Sequence, residues 1–223
     1  MGVVLTGFAD EIGPDPQLQI DTLSAVDVRF LELRAVGGKG VLDLDADEAT
    51  AFKCALDAAD IGVSSIGSPI GKVQVRSDLD AHFARFRIAV ESAQFFGARY
   101  VRVFSFYHEG EEASACREEV IDFFHRMVDV AESANVVLLH ENESHIYGDV
   151  PTRCADLLEV VSRPALRAAF DPANFIQVGV DPLRDAWPRL KDRTDYFHIK
   201  DALAESRAVV PAGYGDGGIE AIL

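Results

Sequence analysis

Three short apolar stretches of the sequence end in side chains that can bind a metal ion. Glu141 ends the first stretch, Asp171 follows the second, and His198 lies near the end of the third. A buried strand that ends in carboxylates is costly unless a metal ion or another cation neutralises them. Two carboxylates and an imidazole form a mixed oxygen and nitrogen ligand set that suits Mn²⁺, Mg²⁺, Co²⁺ or Zn²⁺. The sequence therefore predicts a divalent metal site.

Each of the three residues also has an ordinary structural explanation. Asp171 could cap a turn, His198 could be a core histidine with satisfied hydrogen bonds, and Glu141 could pair with a neighbouring cation. Their occurrence at three successive strand ends favours the metal site. Glu143 competes with Glu141 as a ligand, because residues two apart on a strand face the same side. The place of Glu141 directly at the strand end favours Glu141.

Strand-like and helix-like segments alternate along the chain and would position these ligands. Apolar runs predict seven strands, each followed by a helix or by the start of one. Strands that alternate with helices pair in parallel through right-handed crossovers. In a doubly wound sheet, functional side chains gather near the one point where the strand order reverses. Here candidate functional side chains follow every predicted strand, so we expect a (β/α)8 TIM barrel instead. The predicted strands are residues 3–8, 28–34, 61–66, 99–106, 136–141, 166–171 and 195–199.

Seven strands are one fewer than such a barrel contains. An open barrel of seven strands would leave its first and last strands as exposed edges. We therefore expect a TIM barrel truncated after the seventh strand, with the eighth strand–helix unit missing. The absence of any compositional break predicts a single domain over residues 1–223.

The composition limits the partners of the chain. Hydrophobic residues make up 48% and charged residues 26%, as in ordinary globular proteins. Asp and Glu number 37 against 21 Lys and Arg, which gives a formal net charge of -16. An acidic surface repels nucleic acid and anionic lipid. No apolar run approaches the roughly 18 residues of a membrane span, and no signal peptide is evident. We expect a cytoplasmic protein without nucleic acid or membrane partners.

Further polar side chains follow the strands, and the carboxyl ends of barrel strands converge on one face. The cations at this face indicate a pocket for an anionic ligand such as a sugar phosphate or sugar acid, although each could instead neutralise a neighbouring carboxylate. No Gly-x-Gly-x-x-Gly motif follows a strand. The cations are Arg34, Lys72, Arg102 and Lys200, and the carboxylates are Asp10, Glu11, Glu32, Glu141, Glu143, Asp171 and Asp201.

With these residues in place, the chain resembles the xylose isomerase-like TIM-barrel superfamily of sugar phosphate isomerases and epimerases, to which endonuclease IV also belongs. The likeness runs from residues 7–11 to the glycine-rich residues 211–217, and its most specific motifs are Glu141-Asn142, residues 170–175 and residues 198–201. In this family the Glu, Asp and His at the ends of strands five, six and seven bind a divalent metal. Carried over by position, the resemblance implies Glu141, Asp171 and His198 as ligands.

The resemblance also implies an isomerase or epimerase that moves a proton next to the carbonyl of a sugar, sugar phosphate or sugar acid. The metal would hold substrate oxygens and stabilise an enediolate, while Glu141 would act as ligand and base. The family's fourth ligand, a Glu on the eighth strand, is missing from this sequence, which predicts weaker metal binding and puts turnover in doubt. The catalytic set is Glu141, Lys72 and Lys200, and the substrate-binding set is Glu11, Arg34, Ser68, Arg102, Ser105, Asn142, Asn174 and Asp201.

Two other functions stay open. An endonuclease IV-like DNA-repair nuclease would need several zinc ions and histidines after the third and fourth strands, where Ser68 and Ser105 stand instead. The acidic charge opposes that function as well. A non-catalytic sugar or sugar-acid binding barrel would use the same fold without turnover. Whether the protein forms a homodimer is also left open.

Overall fold

A computed structural model of the protein describes residues 3–108, 110 and 112–223. Six parallel strands form one curled sheet, and each strand pairs with those before and after it in the chain. This order lacks the reversal of a doubly wound sheet and forms part of a TIM barrel, which confirms the predicted fold. The strands are β1 (Phe30–Leu33), β2 (Gly62–Ile66), β3 (Tyr100–Val103), β4 (Val137–Glu141), β5 (Leu166–Phe170) and β6 (Thr194–Phe197).

Helices lie between the strands, as the alternating pattern predicts. Buried residues on α3 and α4 contribute to the main hydrophobic core. The helices are α1 (Pro16–Ala25), α2 (Ala46–Ala58), α3 (Leu79–Phe96), α4 (Arg117–Ser133), α5 (Pro151–Val161), α6 (Pro172–Gln177), α7 (Trp187–Leu190) and α8 (Ile219–Ile222). Short 3₁₀ turns span Ala9–Glu11, Val41–Asp43, Ala113–Cys116, Tyr147–Asp149 and Lys191–Arg193, a wide π turn spans Pro182–Ala186, and two hairpins pair Ala35–Val36 with Lys39–Gly40 and Asp201–Ala202 with Val209–Val210.

The expectation of a strand at residues 3–8 is wrong. Gly7 alone forms a parallel bridge to Leu31, and its carbonyl accepts the N–H of Glu32 at 2.9 Å. Val3, Val4 and Leu5 are 77%, 65% and 69% exposed. The segment lies beside β1 at the position of a first barrel strand, but its pairing at a single residue does not sustain a ladder. The sheet therefore has six paired strands where the sequence predicts seven.

Hydroxyl groups connect opposite walls of the curled sheet. The Tyr196 hydroxyl on β6 lies 2.9 Å from Ser64 Oγ on β2, and Ser64 Oγ lies 2.7 Å from Thr6 Oγ1. These contacts span up to 132 residues of sequence and cross the barrel interior. The curl therefore turns the carboxyl ends of the strands toward one another. Of the helices in the described part of the chain, none has the length and apolar character that a bilayer crossing requires.

Candidate metal centre

The three predicted ligands meet at the carboxyl ends of the last three strands. Glu141 is the last residue of β4, Asp171 directly follows β5, and His198 directly follows β6. One ligand atom from each lies within 4.8 Å of the other two. His198 Nδ1 is 2.9 Å from Glu141 Oε1. Parallel strands that end at one edge thus bring together residues from three separate parts of the chain.

Two asparagines fix the ends of β4 and β5 to each other. The Asn142 amide donates to the Asp171 carbonyl at 2.9 Å, and the Asp171 N–H donates to Asn142 Oδ1 at 3.0 Å. The Asn174 N–H donates to Asp171 Oδ1 at 2.9 Å, so Asp171 caps α6. The capping explanation for Asp171 is therefore correct, and it is compatible with metal binding because the cap uses one carboxylate oxygen. Both asparagines are buried.

Cations flank the two carboxylates of the cluster. Arg102 Nη1 lies 3.3 Å from Glu141 Oε2, and Lys200 Nζ lies 3.3 Å from Asp171 Oδ2. Lys200 also donates to Asn174 Oδ1 at 2.6 Å. These contacts partly compensate the burial of two negative groups.

The charges of the cluster shift the pKa values of all three of its residues. Burial raises the pKa of Asp171 to about 6, and the opposing attraction of Lys200 does not cancel it, while Glu141 raises it further. Burial also disfavours the Glu141 carboxylate, but His198 and Arg102 lower its pKa to about 2. Burial disfavours protonated His198, yet Glu141 and Glu32 raise its pKa to about 10. The imidazolium thus supplies positive charge among the carboxylates.

The residues present fit a divalent metal ion. Carboxylate oxygens and an imidazole nitrogen are the donors that such ions prefer in mixed sites. The buried Oε2 of Glu141 has no hydrogen bond among the described residues. Glu141 and Asp171 are only 4% and 2% exposed, so water compensates their charge poorly. A metal ion would neutralise them and replace one proton of His198.

The cluster forms one wall of a cavity of about 740 Å³. Six more residues of the predicted site line this cavity: Glu11, Arg34, Lys72, Arg102, Asn174 and Lys200. Arg34 lies 2.8 Å from Asp10 and 3.2 Å from Glu11, while Lys72 lies 3.1 Å from Glu143. Each of the four predicted cations therefore already contacts a carboxylate.

Comparison with known proteins agrees with this geometry. The profile of the xylose isomerase-like TIM barrel family matches residues 20–223. The chain belongs to this family. A comparison with curated proteins finds no match.

Solved structures with the same barrel include several from this family and its neighbours. The probable 3-DHS dehydratase AsbF of Bacillus anthracis is 15% identical, with a TM-score of 0.80 over 100% of this chain and 87% of that chain. A xylose isomerase-like TIM barrel protein of Mycobacterium smegmatis, in complex with magnesium, is 14% identical, with a TM-score of 0.74 over 98% and 84%. The 3-keto-D-glucoside 4-epimerase YcjR of E. coli is 12% identical, with a TM-score of 0.73 over 100% and 85%. At these identities the likeness shows the fold.

In this member of the xylose isomerase-like family, four predicted substrate-binding residues are not among the cavity-lining residues. Asn142 holds the end of β5, as described above. Ser68 Oγ donates to the Arg102 carbonyl at 2.5 Å, and Ser105 Oγ accepts the Gly148 N–H at 2.7 Å. Their short hydroxyl side chains satisfy nearby backbone groups at the ends of β2 and β3. These serines therefore shape the strand ends that carry the pocket.

Asp201 is the fourth of these residues, and it organises the glycine-rich segment at residues 211–217. Its carboxylate accepts four backbone N–H groups, each at 2.9 Å. A Cβ atom on Gly215 would lie 2.5 Å from Asp201 Oδ1, so the close approach requires glycine there. The donors are Ala202, Gly213, Gly215 and Gly217.

Two cavity-lining carboxylates, Asp10 and Glu32, have no role in the predicted site. Asp10 holds Arg34, and Glu32 Oε2 lies 3.1 Å from His198 Nε2. Their placement near the ends of the predicted strands at residues 3–8 and 28–34 was a signal for both. The sequence alone does not show that Glu32 contacts a residue 166 positions away.

Proposed function

We propose that the protein is a metal-dependent isomerase or epimerase that moves a proton next to the carbonyl of a small sugar or sugar derivative. The observation that carries the proposal is the buried cluster of Glu141, Asp171 and His198 in the wall of a 740 Å³ cavity. The family membership and the epimerase among the similar structures support it. The magnesium complex of another similar structure supports a divalent ion.

The chain's own groups have distinct tasks in this proposal. A divalent ion held by the cluster would polarise substrate oxygens next to the reacting carbon. Glu141 is the proton acceptor of the proposal, because its carboxylate lies in the cluster next to the place of the substrate oxygens and the positive charge of Arg102 favours its ionised form. Lys72 Nζ lies 4.3 Å from the centre of the Phe104 ring, and Lys200 lies between Asp171 and Asn174. Both ammonium groups can donate to hydroxyl or carboxylate oxygens of a bound carbohydrate.

An anionic substrate group would meet competition in this cavity. It would have to displace Glu143 from Lys72, or Asp10 and Glu11 from Arg34. A hydroxyl group can instead join these ion pairs without breaking them. We therefore include neutral sugars, as well as sugar acids and sugar phosphates, among the candidate substrates to be compared.

Hydrogen–deuterium exchange tests the proton transfer before the product is known. Neutral ketoses, sugar acids and sugar phosphates would be incubated in D₂O with the protein and Mn²⁺. NMR would then detect deuterium at the carbon next to the carbonyl. We expect exchange with at least one class, and a loss of at least about 100-fold in Glu141→Gln because a positioned base contributes that much.

Glu118→Gln, at an exposed position in the first turn of α4, is the matched control and should exchange like the wild type. Absence of exchange with every class, together with absence of bound metal, would contradict the proposal. Ligand-induced shifts in melting temperature without exchange would instead indicate a sugar-binding barrel.

A further inference from the structure

The imidazole of His198 contacts a carboxylate on each of its two nitrogens. Nδ1 faces Glu141 at 2.9 Å, within the ligand cluster, and Nε2 faces Glu32 at 3.1 Å. Glu32 lies on β1, and β1 and β6 are the two edge strands of the six-stranded sheet. Its side chain crosses the barrel interior to reach the histidine. The two sides of the ring therefore have different surroundings, one with Asp171 nearby and one without.

Burial of the Glu32 carboxylate at this position costs folding free energy. It is 2% exposed, and its Oε1 has no hydrogen bond among the described residues. Among the described residues, the basic side chain that lies within ion-pair distance of Glu32 is His198. A buried carboxylate with one oxygen that lacks a hydrogen bond destabilises a fold more than an apolar residue would. The contact with His198 is therefore the feature that accounts for a buried carboxylate at this position.

Packing alone does not fix which edge of the His198 ring faces the ligand cluster. The Phe8 ring lies edge-on at 5.2 Å between centroids, and the Tyr196 ring at 5.8 Å. These aromatic contacts hold the plane of the imidazole, but they do not distinguish its nitrogen atoms from its carbon atoms. A hydrogen bond from Nε2–H to Glu32 does distinguish them, because it leaves Nδ1 directed at Glu141.

We propose that Glu32 is a positioning residue that orients His198 for metal binding. By accepting the Nε2–H hydrogen bond, Glu32 fixes the ring orientation and tautomer and makes Nδ1 a better donor to a metal ion. A metal-bound histidine generally donates its second N–H to a carboxylate or carbonyl in this way, and loss of that partner lowers metal affinity. The inference rests on the metal site of the proposed function.

Metal affinity of Glu32 variants tests this role directly. Dissociation constants for Mn²⁺ and Co²⁺ would be measured by competition with a fluorescent chelator. We expect Glu32→Ala to weaken binding by about 10–100-fold. Glu32→Gln should lose less, because its amide oxygen can still accept the Nε2–H bond. The visible absorption of bound Co²⁺ should also change in Glu32→Ala, since it reports ligand geometry.

Asp156→Asn provides the matched control outside the cavity. Asp156 is a carboxylate hydrogen-bonded to Arg117 at 2.8 Å and to the Tyr147 hydroxyl at 2.5 Å. This variant should bind metal like the wild type even if its melting temperature falls. Metal-free unfolding curves of all variants would separate folding from metal binding.

Wild-type metal affinity in Glu32→Ala, with an unchanged Co²⁺ spectrum, would overturn the inference and show that Glu32 acts only in the fold. If Glu32→Ala does not fold, Glu32→Met, which has a similar length but no oxygen acceptor, replaces it, and an unchanged affinity and spectrum in Glu32→Met would overturn the inference as well. Deuterium exchange by the wild type, with unchanged metal affinity in the variants, would leave the proposed function standing without this role. A wild type that binds no metal would remove both.

Discussion

Two buried aspartates near the ends of neighbouring strands have opposite surroundings. Asp171 follows β5 and accepts one backbone N–H, from Asn174. Asp201 follows β6 by four positions and accepts four backbone N–H groups, three of them from the glycine-rich segment. The two side chains are 2% and 1% exposed, although Asp171 lies deeper in the protein than Asp201. They also differ in the number of backbone N–H donors that they accept.

The pKa values follow this difference. Burial and the nearby Glu141 raise the pKa of Asp171 to about 6 against the attraction of Lys200. Burial acts in the same direction on Asp201, but its backbone N–H donors lower the pKa below the ordinary value. A carboxylate saturated by the backbone is part of the fold. A carboxylate that accepts a single backbone N–H and lies beside another carboxylate is suited to a cation.

The largest expected effect is the loss of metal binding in Asp171→Asn. We expect the Mn²⁺ dissociation constant to rise by more than about 100-fold, since removal of a ligand exceeds the cost of removing a ligand's hydrogen-bond partner. Chelator competition measures it. Folded Asp201→Asn should keep an affinity close to that of the wild type. Equal losses of Mn²⁺ affinity in folded Asp171→Asn and folded Asp201→Asn would contradict the different roles of the two aspartates.

Asp201→Asn should instead destabilise the protein. The amide cannot accept from four N–H groups, and buried donors without partners cost about 1–3 kcal/mol each, partly relieved by local rearrangement. We expect a loss of about 3 kcal/mol in the free energy of unfolding, measured with urea on metal-free protein. Asp216→Asn is the control in the same segment, because Asp216 Oδ2 accepts one exposed N–H, from Ala204. An equal loss in both variants would contradict the role of Asp201.

The contributions of Asp171 and Asp201 to stability should depend on pH in opposite directions. The pKa of Asp171 is higher in the folded protein, about 6, than in the unfolded chain, so the folded state binds its proton more tightly. The unfolding free energy of metal-free wild type, relative to Asp171→Asn, should therefore rise as pH falls from 7 to 4, by about 2 kcal/mol.

The pKa of Asp201 is lowered on folding, so its contribution has the opposite sign. Relative to Asp201→Asn, the wild type should lose stability as pH falls through the ordinary range of an aspartate and below it. Urea unfolding at several pH values measures both differences. If the stability difference between wild type and Asp171→Asn changed with pH in the same direction as that between wild type and Asp201→Asn, the two carboxylates would have the same surroundings.

The sequence predicted that Glu141, Asp171 and His198 lie together, because the evidence for this is local. Each candidate ligand stands at the end of an apolar run, and parallel strands bring such ends to one face without further information. Glu141, Asp171 and His198 could therefore be grouped before any contact was known. The same reasoning predicted six paired strands correctly, and it failed at residues 3–8, where a strand-like run pairs at one residue.

The direction of a side chain could not be predicted in the same way. Asp201 and Asp171 both stand at strand ends, but only the folded backbone shows that residues 213–217 wrap around Asp201. Ser68 bonds to the Arg102 carbonyl on β3, and Ser105 bonds to the Gly148 N–H in the turn Tyr147–Asp149. Glu32 contacts His198 across the barrel. These features depend on contacts between distant residues, and strand periodicity does not encode such contacts.

The metal centre is tested most directly by an anomalous diffraction measurement on crystals soaked with Mn²⁺. We expect one strong anomalous peak among Glu141, Asp171 and His198, at bonding distance from an atom of each. We also expect the peak to disappear in crystals of Asp171→Asn. A fully occupied wild-type peak elsewhere, or none at the cluster under saturating Mn²⁺, would contradict the metal centre.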